Sequence, residues 1–552
     1  MSTRQRRPGL GSDFNLGGEQ AEADPLLERA FVEWSGYTAV ESRSNPRCFL
    51  VGRTGSGKSA VLQRLEEVHP QRVIRVNPED LSLPYIIDLG VIRSLDALDV
   101  HLDPLFIALW KHVLVVEIIR HRYKVDSPVK KRTVLQSLKE TFSRDPSRQE
   151  ALEYLEAFGE SFWAETDERV REITTNFEKQ VKALAGVEVD VPLIGEGQLG
   201  IEGLTTATTT VRRELADRYQ RLVNETQLSR LNKMIAVLDD EILASDQNFT
   251  YVVIDDLDRD WADEKIANDL IRCLFRAVLD LQRVANLKVV VALRTNIFEH
   301  LNFGSRTGGQ EEKFRALVLR IQWNRRELVA MADERARVAA EEAKIPLIAG
   351  VGDILPPTGR QRGNPMDYIL ERTLLRPRDV IAFLNECLVG AAGKARLSWK
   401  DIAAAEGRYS QNRLLALRDE WKTNYPGVDK AFDLFRGAPL EMSQAELTQF
   451  LDGIALLMVD REFEGVRWVT EVAEPVWSGA TAPEAWADSY QALVKFLYDI
   501  GFIGISEGGS MMYAHDSPGF ADAAGNLRTS TRYSVHPAFQ PTLGVRKPVH
   551  RN

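Results

Sequence analysis

Eight residues near the start of the chain, Gly52-Arg-Thr-Gly-Ser-Gly57-Lys58-Ser59, satisfy the pattern G-x-x-x-x-G-K-[ST] in full. Each position has a chemical reason. Glycine admits left-handed backbone and lets amide N–H groups close around phosphate oxygens without interference from a Cβ. A helix opening behind the loop adds partial positive charge to the same cradle. Lys58 is placed to neutralise the β- and γ-phosphates of a nucleoside triphosphate, and the Ser59 hydroxyl is suited to ligate Mg2+. The expected nucleotide contacts are Gly52, Thr54, Gly55, Ser56, Gly57, Lys58, Ser59 and Ala60, with Lys58 also serving catalysis. An ordinary Gly-rich turn can match this pattern. Here an apolar run precedes it and an amphipathic helix follows, which is the context the chemistry needs.

A second cluster, Tyr251-Val-Val-Ile254-Asp255-Asp256-Leu257-Asp258-Arg259, ends an apolar run in carboxylates. Asp255 at the end of a buried strand is placed to hold Mg2+, directly or through water. Asp256 is the candidate to orient or deprotonate an attacking water. Three carboxylates in four residues repel one another, and a bound cation would relieve this. Asp258 reads as structural. Arg294 ends a further apolar run, Leu293-Arg-Thr-Asn296, either reading the γ-phosphate or capping the strand end; Thr295 and Asn296 stand beside it for the lytic water. Arg376 and Arg378 flank Pro377 at a helix start, as candidates for phosphate contact from a lid. Arg306 and Arg315 flank a fifth apolar run, each either a surface ion pair or an arginine acting in trans.

These residues need a frame. Cys48–Val51, Val73–Val76, Tyr251–Ile254, Lys288–Leu293 and Leu317–Ile321 are short apolar runs, and helical spacing follows several of them. Val61, Leu65 and Val68 share one face, as do Ile266, Leu270, Leu274, Val278 and Leu281. Strands alternating with helices predict a parallel sheet covered on both faces. About 170 residues separate the second run from the third, more than a crossover needs. Their stripes (Val170, Ile173, Phe177, Val181, Leu184 and Leu228, Leu231, Ile235, Leu238, Ile242) either pair as a projecting antiparallel arm or bury against the core. Gly186–Thr210 would form the loop or hairpin at their tip.

Beyond the sheet, Glu327–Ala343 is helical and Gly350–Asn364 is a Pro/Gly-rich loop. Ser443-x-x-Glu446 is a capping box, and Pro483 opens another helix running to Asp499. Apolar strands at Phe502–Ile505 and Thr531–Val535 follow. Helix, helix, strand, loop, strand is the order of a winged helix. The expected domains are a flexible tail (1–22), a core in two parts (23–99 and 246–330), a helical insert (100–245), a helical lid (331–400) and a winged-helix-like domain (401–552).

A chain of 552 residues exceeds one core, so two to four domains are expected. A hydrophobic content of 44% with 27% charged residues predicts that most of it folds. The formal charge of −10 argues against nonspecific coating of nucleic acid and leaves room for a local basic face. Arg360, Arg362, Arg372, Arg546, Lys547 and Arg551 are basic without forming a stripe. Cys48, Cys273 and Cys387 have no metal-ligand spacing and read as buried thiols in a reducing compartment. No apolar run reaches the roughly 18 residues of a membrane span. Phe106–Leu109 and Val113–Val116 are broken by Trp110, Lys111 and His112. Arg4, Arg6 and Arg7 have no apolar core behind them, so no secretory signal is expected. The expectation is a soluble, cytoplasmic protein with no membrane partner.

Together the loop, Ile254-Asp-Asp-Leu-Asp-Arg259, Arg294, and Arg376-Pro-Arg-Asp379 leading into Phe383-Leu-Asn385 resemble the STAND and KAP branches of P-loop ATPases, relatives of AAA+ proteins. The resemblance covers roughly residues 25–100 and 240–400. The chain is also similar to a bacterial family with a helical insert before the acidic strand. The resemblance implies an α/β core of sheet order 5-1-4-3-2, ATP with Mg2+, slow switch-like hydrolysis, and for several bacterial members a place in antiphage defence. The insert stands where many KAP proteins have a transmembrane pair, and no repeat array follows the winged helix. Two functions compete: an ATP switch that self-assembles as a homo-oligomer or controls a separate effector protein, and an ATP-dependent motor or clamp on DNA. A small-molecule kinase is a weaker third.

Overall fold

The computed structural model describes residues 9–76, 90–125, 128–145, 148–158, 228–257, 264–301, 311–359, 362–478 and 486–546, with isolated positions between 175 and 221. It divides into two compact units, Ser35–Arg53 with Val61–Ile321, and Met1–Trp34 with Thr54–Ala60 and Gln322–Asn552.

The first unit is built on five parallel strands: β1 (Phe49–Gly52), β2 (Val73–Val76), β3 (Thr250–Ile254), β4 (Leu287–Arg294) and β5 (Val318–Arg320). Their order is β2-β3-β4-β1-β5, which from the other edge reads 5-1-4-3-2. Every residue of β1 and β3 is buried, as strands covered on both faces must be. Register sets the strand ends. Gly52 lies opposite Arg294, and Ile254 opposite Val291, so β4 runs three residues past the end of β3. Helix α1 (Lys58–Val68) follows β1 and buries Val61, Leu62 and Leu65.

Helix α2 (Asp103–Tyr123) passes through the core of this unit, and its polar residues are compensated there. Lys111 Nζ donates to Asp280 Oδ2 and Asn232 Oδ1 at 2.6 Å each, and His112 Nδ1 bonds Tyr154 Oη. Trp110 Nε1 donates to the Leu270 carbonyl on α4 (Glu264–Leu281) at 2.9 Å. Of the two stripes expected to form an arm, the second lies in this core: Leu231 and Ile235 of α3 (Leu228–Val237), with Leu238 and Ile242 after it, are buried. The first stripe and Gly186–Thr210 fall outside the described residues. Among the described residues no helix is long and apolar enough to cross a membrane.

The second unit holds α5 (Arg325–Glu342), α6 (Pro377–Leu388) and the long α7 (Trp399–Trp421). The flexible tail expected over 1–22 is instead packed from Gly9 onward. Leu10, Phe14 and Leu16 are buried with α5 and α6, and Asn385 grips Leu16 N–H and the Gly17 carbonyl at 2.8 and 2.9 Å. Three apolar side chains in seven residues outweigh the glycines that suggested a tail. The boundary expected at residue 400 falls inside α7. Its first half shares a core with α6, where Tyr409 stacks on Phe383 at 4.3 Å, while Leu417 and Trp421 belong to the core that follows.

That last core carries α8 (Gln444–Leu456), opened by the Ser443–Glu446 capping box, α9 (Arg467–Ser478) and α10 (Trp486–Asp499). They accompany an antiparallel sheet of β6 (Met442–Ser443), β7 (Ile503–Glu507), β8 (Ser510–Met512) and β9 (Arg532–Val535) in the order β6-β9-β7-β8. Pro483 lies outside the described residues. The three cysteines are buried free thiols.

Candidate functional site

The loop begins where β1 ends. Gly55 and Gly57 both take left-handed backbone, at φ +78° and +97°, and Lys58 opens α1 directly behind them. A Cβ at Gly55 would stand 2.7 Å from Arg378 Cβ. Three successive carbonyls of the loop are anchored. Thr54 O accepts from Arg376 Nη1 at 2.9 Å, Gly55 O from the Arg378 N–H at 3.3 Å, and Ser56 O from Trp323 Nε1 at 2.8 Å. In a trans peptide the N–H of the next residue points opposite to the carbonyl. Each anchored carbonyl therefore leaves the following amide, of Gly55, Ser56 or Gly57, pointing away from its anchor. Thr54 Oγ1 and Ser56 Oγ are buried and have no hydrogen-bond partner among the described residues. Two buried unpartnered hydroxyls in a glycine-rich loop fit an anion with several acceptor oxygens, and a polyphosphate is one. Lys58, Ser59 and Ala60 form the first turn of the helix and are half-buried.

In the sheet unit, Asp255 follows β3 and is 8% exposed. Its Oδ1 accepts the Asp256 N–H at 2.9 Å. Asp256 turns the chain with φ +57°, a left-handed conformation that aspartate tolerates better than most residues. Arg294, the register partner of Gly52, ends β4 half-buried, and the short helix Thr295–His300 starts immediately after it with Asn296 buried. Asp258, Arg259 and Arg306 fall outside the described residues. Arg315 is exposed in the short helix Glu311–Ala316.

Arg376 is enclosed by acceptors of the protein itself. It is 6% exposed and makes four hydrogen bonds within the protein: Nε and Nη2 to Asp379 at 2.9 and 3.1 Å, and Nη1 to Thr54 O and Glu420 Oε2 at 2.9 Å each. A guanidinium so engaged holds the loop's backbone at Thr54. Burial alone would raise the Asp379 carboxyl, but Arg376 and Arg413 hold it well below the usual carboxylate range. Arg378 differs. It lies over Gly55 and its Nε donates to the Glu19 carbonyl at 3.1 Å. Burial and then the neighbouring Arg376 push its pKa down, so added negative charge nearby would favour it. Arg378 keeps its place as a candidate phosphate contact.

Sequence reasoning missed Trp323, Arg413, Glu420 and Glu19. Trp323 and Glu420 sit in no motif. Asp379 stood in the Arg-Pro-Arg-Asp run, and the opposite charges three apart on one helix were the available signal. Of the scattered basic residues, Arg372 pairs with Glu406 at 2.6 Å and lies 3.4 Å from the Tyr368 ring centre, and Arg362 is near Trp399. Arg360, Lys547 and Arg551 are outside the described residues.

Comparison with known proteins adds one sequence match. The model of the FunZ-associated C-terminal helical domain matches residues 326–418, the stretch that carries Arg376, Arg378, Asp379 and Arg413. No curated protein matches the chain. Among solved structures, the Aeropyrum pernix Orc1 protein in complex with DNA is similar over 97% of this chain and 94% of its own, at 14% identity and a TM-score of 0.27. A superposition that loose carries no argument about activity.

Proposed function

We propose that this protein binds and hydrolyses ATP with Mg2+ and acts as a nucleotide-dependent switch on copies of itself or on a separate effector. The observation that carries the reading is the loop: two left-handed glycines, three anchored carbonyls and a helix start, at the end of a strand inside a five-stranded parallel sheet. In this reading the loop amides, Lys58 and Arg378 hold the phosphates, and Ser59 and Asp255 would hold Mg2+, which supplies charge neutralisation at the β- and γ-oxygens. Asp256 orients or deprotonates the attacking water, and Arg294 reads the γ-phosphate. Arg315 and Arg306 are candidates for action in trans in an assembly.

In this reading the expected domains are kept, with a packed N-terminal segment and a lid that continues into the first half of α7. We read the C-terminal module as winged-helix-like; what supports this is that three helices accompany an antiparallel sheet of order β6-β9-β7-β8. The FunZ-associated match supports a protein partner, and antiphage defence in the cytoplasm is the biological setting the resemblance suggests.

The test is nucleotide binding and turnover in variants. Lys58→Ala is expected to abolish binding of MgATP measured by calorimetry, and Asp256→Asn to retain ATP without hydrolysing it. Unchanged turnover in Asp256→Asn would remove the base assignment, and unchanged affinity in Lys58→Ala the whole reading. Turnover accelerated by double-stranded DNA at low salt would favour the motor instead.

A further inference from the structure

Leu374, Leu375 and Arg376 are consecutive and go to three different places. Leu374 is buried in the core of the C-terminal module, with Leu417 and Trp421. Leu375 is buried in the core of the lid helices, with Phe383 and Tyr409. Arg376 reaches the Thr54 carbonyl in the phosphate loop. This splaying needs an unusual backbone, and Leu375 takes φ +50°, a left-handed conformation costly for a residue with a branched side chain. Strain of that kind persists only where the surroundings over-determine it. Here two cores and an ion cluster do so.

The cluster closes the circuit. Arg376 Nη1 divides its two N–H groups between Thr54 O and Glu420 Oε2, both at 2.9 Å. Glu420 is 8% exposed and sits at the end of α7, next to Trp421. Asp379, fully buried, takes Arg376 on both oxygens, the Leu374 N–H at 3.0 Å and Arg413 Nη1 at 3.1 Å. One guanidinium therefore stands between the loop backbone and the helix end that enters the C-terminal core. A loop that shifts on taking up phosphate must either break one of these bonds or carry the end of α7 with it. Close-packed cores answer such a demand by moving between discrete arrangements.

We propose that Arg376, Asp379 and Glu420 are positioning residues that couple the phosphate loop to the C-terminal module. The inference rests on the nucleotide reading above and names how that site is regulated. Because binding couplings are reciprocal, a partner that displaces the C-terminal module changes nucleotide affinity by the same factor as nucleotide changes the partner's.

The test uses the full chain and Glu420→Gln, which keeps the side-chain shape and removes its charge. Affinity for MgATPγS is measured by calorimetry, and hydrogen exchange is followed with and without it. In the wild type, nucleotide is expected to slow exchange in residues 54–60 and also in 413–435. In Glu420→Gln affinity falls about ten-fold, the scale of one charge-assisted hydrogen bond, and protection stays in the loop. Protection of 413–435 in the variant equal to wild type, or its absence in a wild type that binds nucleotide, overturns the coupling and leaves the nucleotide reading standing. A wild type that does not bind MgATPγS, or binds it as well with Lys58→Ala, defeats the nucleotide reading and the coupling together. If Glu420→Gln does not fold, Glu420→Asp is used with the same outcomes, since shortening by one methylene also breaks contact with Arg376.

Discussion

Two regions of the molecule bury a cation and compensate it in different ways. At the start of α6, Arg376 is enclosed by carboxylates of Asp379 and Glu420, and although burial acts to lower its pKa, those two charges more than reverse it. In the sheet unit, Lys288 near the start of β4 is 5% exposed, and its Nζ donates to the carbonyls of Ala39 and Ser42 at 2.7 and 2.6 Å. No carboxylate pairs with it among the described residues, and burial pushes its pKa down to about 8. It borders a cavity of about 250 Å³ that Arg43, Asn45 and Gln282 also line, along with Cys48, whose thiol burial pushes up to about 12. Carbonyl dipoles satisfy N–H donors without cancelling net charge, so the amine becomes easier to neutralise. Carboxylates do both, and a guanidinium among them stays charged at any pH the fold survives.

Breaking the paired region should have the largest effect. Asp379→Asn strips the shared carboxylate from two buried arginines and is expected to cost about 3–5 kcal/mol, read as a fall in unfolding midpoint. The acid side of the same prediction follows from sign. A carboxyl depressed in the fold contributes stability fully present above its unfolded pKa, near 4, and lost as pH falls toward the lower folded value. Wild type should therefore lose ground on Asp379→Asn as pH drops below about 4. A loss of under about 1 kcal/mol at neutral pH would mean the cluster is no more than a surface pair in energetic terms.

The unpaired region predicts a smaller change and the opposite sign of surprise. Lys288→Met removes a cation whose folded pKa lies below its unfolded one, and also leaves two carbonyls without their donor, about 1–3 kcal/mol. Below pH 8 the fold bears the cost of charged Lys288, and that cost is lifted as pH rises to the unfolded value near 10.4. Thermal melts should thus show the methionine variant closest to wild type near pH 7 and falling behind by pH 10. A gap that does not change with pH would show that Lys288 carries no such shift.

The smallest effect sharpens the contrast between charged and neutral anchors of the loop. Trp323→Phe removes only the indole bond to Ser56 O, and should cost about 1 kcal/mol with a few-fold weaker MgATP binding by calorimetry. A loss as large as that of Glu420→Gln would mean that the charged and neutral anchors of the loop weigh alike.

Much of the frame is legible in the residue types alone. The five apolar runs became the five strands within a residue or so; β1, β3 and β4 stand out because a strand buried on both faces must be largely apolar, whereas the edge strands β2 and β5 each expose an arginine. The Ser443–Glu446 cap was legible because capping depends on residues three apart. The packing of Leu10, Phe14 and Leu16 was not, since the surface that covers them comes from α5 and α6, more than 300 residues later. Strand β8 was hidden in a polar loop whose pairing partner, not its composition, makes it a strand.

The amino-acid sequence alone determined the glycine-rich loop, the acidic strand end and the parallel sheet that carries them. Each depends on residue types at short fixed spacing, where backbone geometry leaves little choice. What Arg376 does was decided only by the tertiary structure. An arginine's role is set by the acceptors around it, and here Thr54 and Glu420 come from distant parts of the chain while Asp379 is one helical turn away. The same spacing that suggested a phosphate contact, two arginines around a proline, placed one over the loop and drew the other into a buried ion cluster with Asp379 and Glu420.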